Sequence, residues 1–350
     1  MQFTFRRLSI LLLILFLLPG CTKDYFDYIE EKARHSYHLE EDILWASPDG
    51  IELTMNIYTP NTGKDSYPVV IMFHGGAWMF NTNKVMDEPS AYLASQAEYV
   101  VCNVNYRLLP QSNNTVKFNE IVEDAFGAVL WVKHHIEEYK GDPKQVVVTG
   151  DSAGGHLASM ILMGGDNLSS KNFQQGVLAF TPSWLPAGKT AEQVRAENGL
   201  EVQAGIINYG AVSMYNKVKN EGFEEQNRFW NRANAQARGL FGDSITIDSH
   251  PEYYLAVSPI SIVPNVRQKP LPPILLTVGS KDRLTPPHMI RRFGATIINN
   301  GHRDVELWVY RGRAHAFLGW GSNFFLGTNF RKDAVPALNK MIRFLDSIFY

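Results

Sequence analysis

Six short runs along the chain are largely apolar from end to end. They lie at 68–74, 99–106, 145–149, 202–209, 273–278 and 305–310. Each is too short for a helix and rich in Val and Ile, as in "PVVIMFH" and "QVVVT", so each predicts a buried strand. Stretches with helical spacing lie between them at 84–98, 119–139, 153–163 and 286–299, with another at 333–349. In the longest, Ile121, Ala125, Val129 and Val132 recur three or four residues apart, which puts them on one helix face. Strands that are apolar throughout and alternate with helices predict a mostly parallel sheet covered on both faces. The start differs. Ile51, Leu53, Met55 and Ile57 alternate with polar residues, and Ser47-Pro48-Asp49-Gly50 before them reads as a turn. An antiparallel hairpin is expected there.

Two regions break the alternation, at about 165–200 and 211–257. They are polar and irregular but carry Trp184, Tyr215, Phe223, Phe229, Trp230 and Phe241. Insertions of this length inside a compact sheet are usually functional or disordered. Their aromatics predict a packed cap, which is also a satellite core.

The chain has 350 residues, 45% hydrophobic and 19% charged, as expected of a packed globular protein. Its net charge is −2 and it has no Lys/Arg run, so nucleic acid is not an expected partner. The two cysteines, Cys21 and Cys102, have no ligand-like spacing, which argues against a structural zinc site. Cys102, in "YVVCNVNY", reads as a buried core thiol.

Cys21 belongs to a different pattern. Arg6 and Arg7 precede the apolar run Ile10 to Leu18, then Pro19, Gly20 and Cys21. The run is shorter than the ~20 residues a membrane span needs, and a basic start before a short apolar core reads as a secretory signal. "LLPGC" resembles the lipobox of bacterial lipoproteins, although Pro19 departs from its usual residue. The expectation is a signal peptide over 1–20 and a lipidated Cys21. Residues 21–42 would form a tether or lip segment, and the remaining domain would run from 43 to 350. The protein would then be exported to a bacterial cell envelope and held on a lipid bilayer by its N-terminus.

"VVVTGDSAGGH" at 146–156 carries the candidate nucleophile. Gly150-Asp151-Ser152-Ala153-Gly154 between a strand and a helix is the G-x-S-x-G elbow, which lifts the Ser152 hydroxyl off a sharp turn. A serine hydroxyl needs a base, a group to orient that base, and donors for the developing oxyanion. In a parallel sheet these gather where strands end. After the strand at 68–74 comes His74-Gly75-Gly76-Ala77-Trp78, an oxyanion-loop pattern. The donors expected are the N–H groups of Gly75, Gly76 and Ala153. Asp282 follows the strand at 273–278, and His315 follows the strand at 305–310. Among the other histidines, His74 belongs to the oxyanion loop and His156 lies one helical turn past Ser152, pointing away from it. Asp151 is expected to be structural and to face solvent. Trp78 is expected to narrow the site.

"HGGAW", "NYRLLP", "GDSAGGHLA", "SPISIVPNVRQKPLPPILLTVGSKDRLTPP" and "RAHAF", in that order, resemble α/β-hydrolase-fold esterases of the hormone-sensitive-lipase-like group over about residues 40–350. The resemblance implies an α/β-hydrolase fold: a mostly parallel central sheet, helices on both faces, and a cap formed by insertions. It also implies a Ser152–His315–Asp282 triad that hydrolyses a small-molecule ester without metal or cofactor. The charged, aromatic insertions predict short acyl groups, with acylated carbohydrate fragments as one class of substrate. A formamidase, a lactonase, a serine peptidase or a non-catalytic binding protein could be built on the same fold. Ala77 departs from the third glycine many members carry, and the material at 165–200 is extra. Oligomeric state is not legible in the sequence.

Overall fold

The strands are β1 (Tyr37–Ala46), β2 (Leu53–Pro60), β3 (Tyr67–Phe73), β4 (Val100–Val104), β5 (Gly141–Asp151), β6 (Ala204–Asn208), β7 (Ile274–Gly279) and β8 (Val305–Tyr310). They form one sheet in the order β1-β2-β4-β3-β5-β6-β7-β8. The structure is a computed structural model that describes residues 33–319 and 328–350. Residues 34–350 make up a single compact unit. Cys21 and the expected signal segment lie outside the described residues.

Pairing is antiparallel from β1 to β2 and from β2 to β4, and parallel everywhere else. Every residue of β3, β4, β6 and β7 is buried, so both faces of the central sheet are covered. This is why those strands read as unbroken apolar runs. The main helices are α1 (Asp87–Gln96), α2 (Phe118–His135) and α3 (Ala153–Gly164), with α4 (Ala191–Ala196) in the first insertion. α5 (Met214–Lys219), α6 (Arg228–Arg232) and α7 (Pro251–Ala256) belong to the second, and α8 (Pro287–Asn299) and α9 (Val335–Phe349) follow. α1 packs with α9, and α2 with α3. Cys102 is fully buried, as its segment predicted, and burial raises its thiol far above the usual range.

The hairpin begins earlier than the sequence suggested. β1 starts at Tyr37, inside the stretch assigned to a tether. It is an edge strand, and most of its side chains are exposed. Polar residues therefore occupy it and leave no apolar alternation to find.

The insertions fold into short helices around shared aromatics. Phe173 stacks on Phe180 at 5.0 Å and on Phe241 at 5.7 Å. Trp230 is fully buried, and its Nε1–H donates to the Phe223 carbonyl at 2.7 Å. These residues continue the main core.

Where the first insertion meets α2, two acids are buried side by side. Asp124 holds the guanidinium of Arg107 at 2.8 Å. Glu123 accepts the Thr181 N–H at 3.2 Å and the Asn119 amide at 3.4 Å, and among the described residues no cation pairs with it directly. Burial pushes its carboxyl up to about 8, against the lowering effect of those donors and of Arg107. The folded chain thus keeps this proton well above the pH at which the unfolded chain releases it. Stability from this group falls as pH rises from the ordinary carboxylate range to about 8. Glu123→Gln, which cannot ionise, should therefore gain stability over wild type more at about pH 8 than at about pH 5 in urea unfolding. Equal differences at the two pH values would show that Glu123 ionises alike in both states.

Candidate active site

Ser152 joins β5 to α3 with φ 52° and ψ −110°, a conformation L-residues rarely adopt. Its N–H donates to the Asn208 carbonyl at 2.9 Å, tying the turn to the neighbouring strand. Glycine is required beyond it. A Cβ on Gly154 would lie 1.9 Å from the Phe73 carbonyl oxygen. The helix start can therefore press against the end of β3 only without a side chain.

The structure brings the three predicted residues into one hydrogen-bonded chain. His315 Nε2 lies 2.8 Å from Ser152 Oγ, and His315 Nδ1 lies 2.8 Å from Asp282 Oδ2. An ionised Asp282 can only accept, so Nδ1 carries the proton and the Nε2 lone pair faces the serine hydroxyl. Asp282 also accepts the N–H groups of Leu284 and Thr285 at 2.8 and 3.0 Å. Burial alone would raise its carboxyl, but the His315 interaction and those two N–H groups outweigh this and hold it below the usual carboxylate range. The site therefore has a hydroxyl, an imidazole of defined tautomer, and a carboxylate that stays ionised.

The oxyanion loop differs from expectation in one donor. The Gly75 N–H donates to Asp151 Oδ1 at 2.6 Å. It is spent on that carboxylate, which corrects its assignment to the oxyanion hole. Asp151 does not face solvent either: it is buried, and Tyr209 Oη donates to its Oδ2 at 3.3 Å. Burial raises its carboxyl to about 6, against the lowering effects of His315, the Gly75 N–H and the Tyr209 hydroxyl. The expectation for Asp151 failed because the residue beside the nucleophile has a backbone N–H to hold, and sequence gives no sign of it. Among the described residues the N–H groups of Gly76, Ala77 and Ala153 make no hydrogen bond. Gly76 and Ala77 adopt φ 132° and 53°. Gly76 could not carry a Cβ, which would lie 2.0 Å from the Phe80 carbonyl oxygen.

The other residues near the loop are structural. The His74 ring bonds the Gly75 carbonyl at 2.8 Å, and the His156 ring bonds the Val257 carbonyl at 2.8 Å. Burial lowers both imidazoles to about 4. Trp78 is buried against Phe118, His156 and Phe223 at 5.0–5.7 Å, so it is core and does not wall the site. Sequence reasoning missed Ala77, Tyr209 and Thr285. Thr285 Oγ lies 3.0 Å from Asp282 Oδ2, and the only sequence signal for it is its closeness to the acid. Among the described residues no group of three His, Cys, Asp or Glu side chains could hold a metal ion.

This sheet order, with Ser152, Asp282 and His315 following β5, β7 and β8, is the α/β-hydrolase fold. The chain belongs to the BD-FAE family, whose model matches residues 55–295, taking in Ser152 and Asp282 but stopping before His315. It is 32% identical over 114 residues to carboxylesterase NlhH of Mycobacterium tuberculosis, covering 32% of this chain and 34% of that protein. It is 33% identical over 165 residues to an arylesterase of Saccharolobus solfataricus, covering 47% of this chain and 51% of that one. The matches thus span about a third to a half of these relatives. Among solved structures, a thermophilic esterase of Thermogutta terrifontis, Est2, shares the fold with a TM-score of 0.59 at 22% identity. That likeness covers 89% of this chain and 93% of Est2.

Proposed function

We propose that this protein is a serine carboxylic ester hydrolase. The observation that carries the reading is the unbroken hydrogen-bonded chain Ser152–His315–Asp282 at the carboxyl edge of the sheet. Ser152 Oγ attacks the ester carbonyl while His315 Nε2 takes its proton. His315 then gives that proton to the departing alcohol, and water repeats the cycle on the acyl-enzyme. Asp282 holds the imidazole tautomer and balances the imidazolium. The N–H groups of Gly76, Ala77 and Ala153 receive the oxyanion, each contributing ~3 kcal/mol to the transition state. Ser152→Ala should lose ~10^4-fold or more of kcat while keeping the fold, read with a p-nitrophenyl ester and circular dichroism. A folded variant with a tenth of wild-type activity would remove Ser152 from the mechanism.

The preferred acyl group is short, and acylated carbohydrate fragments are one natural class. The insertions supply the support. Their aromatics are consumed in packing, and Leu255 is the one large apolar side chain of the insertions that is exposed among the described residues. A lid for long lipid chains needs the opposite, a continuous apolar face. kcat/KM should be highest from acetyl to butyryl esters, each unaccommodated methylene costing ~1–3 kcal/mol. A measured optimum near ten carbons would overturn this preference.

The site would work at a membrane surface, held by lipid on Cys21, and the support is the basic and apolar run that ends at that cysteine. Cys21→Ser should release the protein from the membrane fraction or leave it unprocessed. A mature N-terminus elsewhere by mass spectrometry, with Cys21 unmodified, would exclude the anchor.

A further inference from the structure

Tyr209 follows β6 and contacts the segments that carry Ser152, Asp282 and His315, and it reaches the oxyanion loop through Asp151. Its hydroxyl donates to Asp151 Oδ2 at 3.3 Å and accepts the Leu318 N–H at 3.1 Å. The first partner holds the Gly75 N–H of the oxyanion loop, and the second belongs to the loop that carries His315. The ring packs 4.8 Å from the His315 ring at 66° and 4.5 Å from Phe317. The Tyr209 carbonyl accepts the Thr285 hydroxyl at 2.9 Å, beside Asp282. The backbone is held at φ 41°, a strained value for a tyrosine, and the side chain is fully buried.

A core tyrosine needs one partner for its hydroxyl. This one has two, Asp151 beside Ser152 and Leu318 on the loop of His315, so it ties together two segments that otherwise meet through the Ser152–His315 bond. We propose that Tyr209 is a positioning residue that locks the oxyanion loop, through Asp151, to the loop of the catalytic histidine. The inference rests on the esterase reading above.

The groups facing Asp151 are few. His315 and the hydroxyls of Tyr106 and Tyr209 act on it from the segments that follow β8, β4 and β6, together with the Gly75 N–H. Burial keeps both tyrosines protonated. His74, stacked on Tyr106, is held neutral by burial, and Asp282 acts on Tyr209 from the far side. Loss of the Tyr209 hydroxyl therefore removes a donor that helps keep Asp151 ionised, and its carboxyl should rise further. A protonated Asp151 is a poorer acceptor for the Gly75 N–H, so the oxyanion loop loosens first at low pH.

The test is a double-mutant cycle of Tyr209→Phe and Asp151→Asn, with kcat, KM and the pH profile of kcat/KM measured on a short-chain ester. Tyr209→Phe should lower kcat about tenfold or more with KM within about threefold, and its acidic limb should move to higher pH. The two changes together should cost much less than the product of their separate effects, because both break one link. Tyr58→Phe removes a buried hydroxyl that donates to Asp87 at 2.8 Å, away from the site, and should leave the limb in place. Multiplicative losses, or a folded Tyr209→Phe with the wild-type kcat and limb, would overturn the inference. If Tyr209→Phe does not fold, Asp151→Asn alone decides: lowered kcat with an altered acidic limb supports the link, and a wild-type profile refutes it. A wild-type chain that hydrolyses no ester refutes the esterase reading and this inference together, whereas an active wild type with an unmoved Tyr209→Phe refutes this inference alone.

Discussion

The close approach of Gly154 to the carbonyl of Phe73 is the constraint on which the site depends. A methyl group there would sit 1.9 Å from that oxygen. Without one, α3 can begin against the end of β3, and β5 must turn into it within one residue. Ser152 takes up that turn with its φ of 52°. The same contact sets the N-terminus of α3, and so the free Ala153 N–H, beside the oxyanion loop that follows β3. The hydroxyl, a free backbone N–H and the positive end of a helix dipole are thus placed by a single steric fact.

Two carboxylates flank His315 and are treated in opposite ways. Asp282 has two backbone N–H groups and the imidazole N–H, and these overcome burial and keep it charged. Asp151 has one N–H and a tyrosine hydroxyl, and burial dominates. The difference in donor number separates their tasks. Asp282 holds the His315 N–H. Asp151 holds a loop, and it does so by accepting the Gly75 N–H. Among the described residues the loop's N–H groups without a partner are therefore those of Gly76 and Ala77. Ala77 in place of a third glycine keeps the backbone N–H, but its φ of 53° must be borne by a residue with a side chain.

Much of this was legible in the sequence. The strands β3, β4, β5 and β7 announce themselves because sheets covered on both faces need continuous apolar runs, and Ser152, Asp282 and His315 because each directly follows such a run. β1 was not fully legible, since an edge strand has no buried face along most of its length. Neither were the fates of Gly75, Asp151 and Trp78. Each depends on which residue from a distant segment meets it: Asp151 for Gly75, and Phe118, His156 and Phe223 for Trp78. Local pattern carries strand, helix and loop chemistry, but not the pairing of one loop with another.

That pairing also joins the insertions to the reaction. Trp78 ends the strained part of the oxyanion loop, and its ring is clasped by Phe223 from the second insertion. Its carbonyl accepts the Leu109 N–H at 2.8 Å, and Arg238 of the same insertion holds the Leu109 and Val116 carbonyls at 2.8 and 2.6 Å. The guanidinium of Arg232 lies 4.6 Å over the ring of Phe80 in the oxyanion loop. The left-handed backbone of Ala77 and Trp78 is therefore held from both sides, by the sheet through Asp151 and by the insertion through these contacts. A change in the insertion's packing therefore reaches the backbone of Ala77 and Trp78 without touching Ser152, His315 or Asp282, which makes the insertion part of the scaffold that holds this loop.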